Sequence, residues 1–172
     1  MDNLTIRLLD KSNPDELAAY EKALYLAFSS IQDRSLDLIW NMGKKRIVTK
    51  IPYCSQQIMI AETNNSIIAG LALNFNMQEK LQLEYLGFQI NKSEDGICEA
   101  LLLFNTQVSV NSHLVLYELQ KHLLSFLKSQ HIRKVYGTCS KRRIRGYRSL
   151  GFRDIDTREV NNVPEYLLVY DI

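Results

Sequence analysis

Tyr147 and Glu99 are the two residues of this chain whose type and setting suit proton transfer. Tyr147 lies in Tyr-x-x-Leu-Gly-Phe, five residues before Phe152, within the segment KVYGTCSKRRIRGYRSLGF (residues 134–152). A phenol with a pKa of about 10 keeps its proton at neutral pH and can give it to a departing anion. Glu99 stands inside the apolar run ICEALLLF, where burial raises a carboxyl pKa toward the range useful to a base. Each has a plainer alternative: a tyrosine that packs a short helix, and a glutamate that faces solvent at a strand end. Glu62 and Glu84 are weaker candidates for a base, and Glu62, closing a strand, reads as solvated.

The third feature is charge. Lys141, Arg142, Arg143, Arg145, Arg148 and Arg153 crowd into thirteen residues. Such a cluster suits phosphate or an acidic protein surface; taken singly, each charge reads as part of a solvated helix face. Other chemistry is not indicated. His113, His122 and His131 lack ligand spacing, so no metal site is expected. Cys139 has no histidine pattern that would make it a nucleophile, and Cys54 and Cys98 read as core or surface thiols. GTCSKRR lacks the glycine spacing and the Gly-Lys-Ser/Thr of a phosphate loop.

The elements that must position these residues fit one domain. The 172 residues are enough for a single domain with a real core, and 46% apolar and 23% charged residues are ordinary for a globular chain. A net charge of +2 is too small to announce nucleic-acid binding, and no stretch approaches the 18 apolar residues of a membrane span. The N-terminus has no basic region followed by an apolar core, so no signal peptide is expected. Three widely spaced cysteines fit neither a disulfide framework nor zinc and point to a reducing cytoplasm.

Residues 4–9 read as a strand. Ser-Asn-Pro-Asp-Glu at 12–16 starts a helix that runs to about residue 30, with Leu17, Leu24, Phe28 and Ile31 on one face. Residues 33–42 read as a second short helix, with Leu36, Ile39 and Trp40. Strands are expected over 56–62 and 66–75, joined by a turn at Asn64-Asn65. Residues 77–88 are ambiguous, with some helical spacing. A buried strand covers 97–104, and the longest helix about 113–130. A strand at 135–139, a helix at 141–150 and strands at 152–160 and 165–172 complete the chain, with 161–164 as a turn. The crossovers imply parallel pairing in the middle of a mixed sheet.

This layout resembles the GNAT N-acetyltransferase superfamily. The resemblance covers the element order of nearly the whole chain, and its specific motif lies in residues 135–152. It implies an α/β fold with a mixed central β-sheet flanked by helices, and direct acyl transfer from a thioester to an amine. Tyr147 would protonate the leaving thiolate, and Glu99 would be base or water-holder, since many members carry glutamate on this strand. The donor, an acyl-coenzyme A or an acyl-phosphopantetheine, would be held by Phe104 and Asn105 at the strand end. Asn111, Ser112 and His113 at the start of the long helix would add to it, with Ser140, Arg142 and Arg143 after the next strand.

The sequence departs from the family at the donor loop. Members usually carry Arg/Gln-x-x-Gly-x-Gly/Ala before the long helix, where glycines let the backbone approach pyrophosphate. Here Asn111-Ser112-His113-Leu114-Val115-Leu116 stands there, without glycine or arginine, and Ser140 stands where many members have asparagine. Two readings follow. In one, the donor carries only phosphopantetheine on an acyl carrier protein, steered in by the basic cluster. In the other, the domain is a non-catalytic binding or regulatory module. The fatty-acyl reading gains from a partial resemblance to acyl-homoserine-lactone synthases and related acyltransferases. These often have an extra segment like residues 77–95, followed by Glu-x-Ser-Arg-Leu, of which only Glu99 agrees. The apolar hairpin with Leu38, Ile39 and Trp40 then becomes a candidate acyl tunnel, with ordinary core as the alternative. The acceptor amine and the oligomeric state are not legible.

Overall fold

A computed structural model describes residues 4–29, 38–106 and 112–172. Its centre is a seven-stranded sheet formed by β1 (Thr5–Leu8), β4 (Gln56–Thr63), β5 (Ser66–Asn74), β6 (Ile97–Asn105), β7 (Lys134–Ser140), β9 (Val163–Asp171) and β8 (Arg153–Val160), in that spatial order. Every neighbouring pair is antiparallel except β6 and β7. That parallel pair needs a crossover, which α3 (Ser112–Ser129) supplies.

Local chemistry explains the frame. α1 (Pro14–Phe28) begins where Asn13 Oδ1 accepts the Asp15 and Glu16 N–H groups, and proline occupies the first turn. Both hairpins of the main sheet close on an asparagine pair at positive φ, Asn64-Asn65 and Asn161-Asn162, the conformation a tight turn between twisted strands requires. The second turn is shorter than the sequence suggests, because Val163 and Pro164 already belong to β9.

Each face of the sheet buries one apolar layer. Ile58, Ile60, Leu102 and Phe104 pack under α1, while Met59, Leu71, Leu73 and Cys98 pack under α3. The period-2 alternation of strands makes both layers from the same residues.

Two expectations fail, and one ambiguous segment resolves. Leu38–Asn41 is not helical: it is a strand, β2, paired antiparallel with β3 (Arg46–Thr49), Met42 follows in a turn, and residues 33–37 of the expected helix lie outside the described residues. Leu38, Trp40 and Ile47 fit a strand as well as a helix, and pairing with the β-branched RIVT run decides. Residues 77–88 hold only one helical turn, α2 (Gln82–Tyr85). The helix after β7, α4 (Ile144–Ser149), starts three residues later than expected, with Lys141–Arg143 in a turn.

Candidate active site

β6 and β7 pair only from Ile97/Lys134 to Ala100/Gly137. Beyond that point β6 continues to Asn105 and β7 to Ser140 without pairing, so the sheet opens. On its other edge β6 carries a bulge: Leu73 faces Ala100 and Ala72 faces Leu102, leaving Leu101 without a partner on β5. A bulge bends its strand and strengthens local twist, which is how β6 leaves β7.

An apolar cavity lies at this opening, under α3 and beside α4. Ala100 and Gly137 border it from the two parting strands, and Tyr147, Leu150 and Phe152 close one side. α3 lines it from Leu116 to Leu127, a stretch of roughly 16 Å at 1.5 Å per helical residue. Among the described residues, Gln120, Thr138, Tyr147 and Tyr170 are the lining side chains that carry a polar atom. Gln120 is committed, since its amide donates to the Leu150 carbonyl and ties α3 to α4.

Tyr147 is held by the end of α4. The Phe152 N–H bonds to the Tyr147 carbonyl and the Gly151 N–H to the Arg148 carbonyl, a Schellman ending with Gly151 at φ +96°. A side chain at Gly151 would also meet the Tyr170 ring at 2.9 Å. The Tyr147 ring stands edge-on to Phe152, centroids 5.5 Å apart, and its hydroxyl makes no hydrogen bond to a described residue. Burial pushes its pKa up to about 12, with Arg143 opposing. The phenol therefore keeps its proton at neutral pH.

Glu99 lies on the opposite face. It pairs across the sheet with Tyr136, and both belong to the side covered by residues 81–88, whereas the next pair, Ala100 and Gly137, borders the cavity. The carboxylate is 1% exposed. It accepts the Leu83 N–H at 2.7 Å, the Gln82 N–H at 3.0 Å and the Asn74 amide at 3.3 Å. Burial pushes its pKa up to about 7, against these hydrogen bonds, which lower it. The expected rise is present, but the base role does not fit these surroundings: the carboxylate does not line the cavity and is committed to main-chain donors.

The remaining expected residues divide. The Phe104 ring is core, edge-on to Tyr20 at 5.8 Å and packed over Gly70, so only its main chain is left for a ligand. Asn105 ends β6 and is partly exposed. Asn111 lies outside the described residues, Ser112 opens α3, and His113 is exposed in its first turn. Ser140 ends β7, and its carbonyl accepts the Arg143 N–H. The basic cluster is only half free. Arg143 stacks over Phe28, Arg148 pairs with Asp154 and Arg153 with Asp171, while Lys141, Arg142 and Arg145 are exposed without an ion pair among the described residues. Glu62, expected to be solvated, pairs with Arg7, and Glu84 accepts the Leu81 N–H at the start of α2.

Sequence reasoning missed Gln82, Asn74, Gly137 and Thr138. Gln82 and Asn74 are fully buried polar residues, and nothing in the pattern of residues 74–85 distinguishes them from surface amides. The signal for Gly137 was its place in a strand, where glycine marks a close approach or an opening.

The fold is that of the GNAT superfamily. Among solved structures, the chain is similar to the acyl-homoserine-lactone synthase LasI, at 9% identity and a TM-score of 0.78 over 98% of this chain and 90% of that one. It is also similar to BjaI, a coenzyme A-dependent acyl-homoserine-lactone synthase with SAM and isopentyl-CoA. There the identity is 14% and the TM-score 0.74, over 99% of this chain and 84% of that one. A GNAT family acetyltransferase from Elizabethkingia anophelis, with acetyl-CoA bound, matches at 15% identity and a TM-score of 0.59 over the full length of both chains. No family model matches the sequence, and no curated protein matches it by sequence. Among the described residues, no helix is long and apolar enough to cross a membrane.

Proposed function

We propose that the chain is an N-acyltransferase that moves an acyl group from a thioester directly to an amine, and that the acyl group is a fatty chain. The observation that carries this reading is the cavity at the β6–β7 opening, an apolar space under α3 that Tyr147 borders. Acetyl-coenzyme A bound in one similar structure, and isopentyl-coenzyme A, an alkyl thioether of the same carrier, bound in another, support a coenzyme A thioester donor.

In this reading the thioester carbonyl sits where the strands part. The edges of β6 and β7 beyond Ala100 and Gly137 have lost each other as partners, and main-chain groups so freed bond a ligand. The amine nitrogen attacks the carbonyl carbon, the C–S bond breaks, and the sulfur takes its electron pair and the Tyr147 proton. The proton that nitrogen releases restores the phenol through solvent. Glu99 is assigned to holding the cleft, not to the amine. Lys141, Arg142 and Arg145 offer a free positive face to an acidic acyl carrier protein. A second reading, a binding module without turnover, is favoured by the absence of the glycine-rich donor loop.

The test is a thermal-shift and intact-mass screen against acetyl-coenzyme A, a C8–C16 acyl-coenzyme A series and the matching acyl carrier proteins, with an amine library. Stabilisation by long-chain donors and appearance of acylated amine are expected. Binding without product in every pairing favours the module, and silence from every donor removes the thioester.

A further inference from the structure

We propose that Gln82 is a positioning residue for the acyl-transfer cleft: it takes the main-chain carbonyl at the β6 bulge and so fixes the point where β6 turns away from β7. The link to catalysis rests on the function proposed above; the link to cleft shape does not.

The geometry begins with a row of buried polar residues across four strands. Gln56 pairs with Asn74, Asn74 with Glu99, and Glu99 with Tyr136, so all four side chains share one face. Gln56, Asn74 and Glu99 are each 1% exposed, on a face otherwise packed with leucine, isoleucine and phenylalanine. Burying polar groups at that density is costly unless each has work to do with its neighbours.

The work of Glu99, which Asn74 also bonds, is directed at residues 81–86. α2 is a single turn, too short to be stable alone. Glu99 supplies what it lacks, accepting the Gln82 and Leu83 N–H groups while Glu84 accepts that of Leu81. Leu81, Leu83 and Phe88 are fully buried beside it, so the turn is pinned to the sheet from two sides. Pinned there, the 2%-exposed Gln82 donates its amide to the Leu101 carbonyl at 2.7 Å.

Leu101 is the residue that matters. It has no partner on β5, because the bulge skips it, and it follows Ala100, the last residue of β6 that pairs with β7. A buried carbonyl left there without a donor would draw β6 back toward a regular ladder or admit water. Gln82 satisfies it from outside the sheet. The arrangement runs Glu99 to the α2 main chain, Gln82 to the Leu101 carbonyl, and Leu101 to the opening beside Ala100 and Gly137. Gln82 Oε1 itself has no partner among the described residues, so the side chain is retained for its donor end.

The variant Gln82→Met keeps length and burial but removes the donor. Gln56→Met is the control, because that amide is equally buried but donates to Thr49 and Ile51, away from β6. Hydrogen exchange of the full chain reads the cleft without any substrate. Gln82→Met should raise amide exchange at residues 101–103 at least tenfold relative to β4 and β5, and Gln56→Met should not. Steady-state kinetics with the best donor should then show donor KM raised about tenfold in Gln82→Met, with kcat within threefold of wild type. Unchanged exchange at residues 101–103 overturns the proposal whatever the kinetics show. Raised exchange with an unchanged donor KM overturns the link to the cleft. If wild type transfers no acyl group from any donor, the functional reading fails, while the exchange comparison still decides the role of Gln82.

Discussion

Ala100 and Gly137 form the last register pair before β6 and β7 separate, and both border the cavity under α3. A methyl group at Gly137 would lie 3.4 Å from the Ala100 carbonyl and 3.5 Å from its Cβ, ordinary contact that needs no backbone movement. Larger groups would have to occupy the cavity mouth. Gly137→Ala is therefore expected to fold and bind donors as wild type does. Gly137→Val should keep a cooperative melt but weaken a C12 donor by roughly 5–150-fold, the equivalent of about 1–3 kcal/mol of overpacking, and spare acetyl-coenzyme A. Titration of both donors against the three proteins checks this; parallel losses would place the acyl chain elsewhere.

Tyr147 can be separated from the fold around it. Its hydroxyl has no hydrogen-bond partner among the described residues, and its packing against Phe152 is ring to ring. Tyr147→Phe should leave the melting temperature within a few degrees and lower kcat by about 100-fold, at the low end for loss of a positioned acid. Because burial pushes the phenol up to about 12, wild type should show no loss of rate from its ionisation below about pH 10. Turnover unaffected by the substitution would take Tyr147 out of the chemistry.

Glu99 links stability to pH. Its pKa is raised from 4.5 to about 7 by burial, so between those values the folded chain holds a proton that the unfolded chain has lost. Stability from this group is thus fully present below about pH 4.5, declines as pH rises, and is lost above about pH 7. A shift of this size corresponds to roughly 3 kcal/mol. Glu99→Gln removes the titration and costs a main-chain acceptor at every pH. Urea unfolding at pH 5 and pH 8 should show wild type losing more stability across the interval than Glu99→Gln; equal slopes would show that the carboxyl titrates normally.

The sequence disclosed the frame better than the site. The alternating strands, the Asn64-Asn65 turn and the Asn13 cap carried their signals locally, because main-chain conformation is set by neighbours. Residues 38–41 misled because an apolar run of that length suits either period, and its pairing with residues 46–49 is a tertiary choice. The helix ending that holds Tyr147 was legible in Leu150-Gly151-Phe152. Glu99 was legible as a buried acid but not as an anchor, since its three donors come from residues 16 to 25 positions away only after 81–86 has folded over the sheet. Asn74 is 25 positions away in sequence, the Gln82 N–H 17 and the Leu83 N–H 16. The basic cluster looked uniform in sequence, and only the structure separates Arg148 and Arg153, which are paired, from Lys141, Arg142 and Arg145.

That separation makes a carrier-protein donor testable. Paired charges at the surface have little attraction left for a partner, whereas exposed unpaired ones steer an acidic protein strongly at low salt and weakly at high salt. Reversing Lys141, Arg142 and Arg145 together to glutamate should raise KM for an acyl carrier protein donor at least tenfold at low ionic strength. It should also abolish most of that donor's salt dependence. The same acyl group on coenzyme A should lose little, because the rest of the donor site is untouched. Reversal of Arg148 would instead break its bond to Asp154 and act through α4, so it serves poorly as a probe of docking. Kinetics with both donors across a salt series separate the cases: equal losses for carrier protein and coenzyme A would mean that these three side chains grip the phosphates common to both donors rather than the protein that carries one of them.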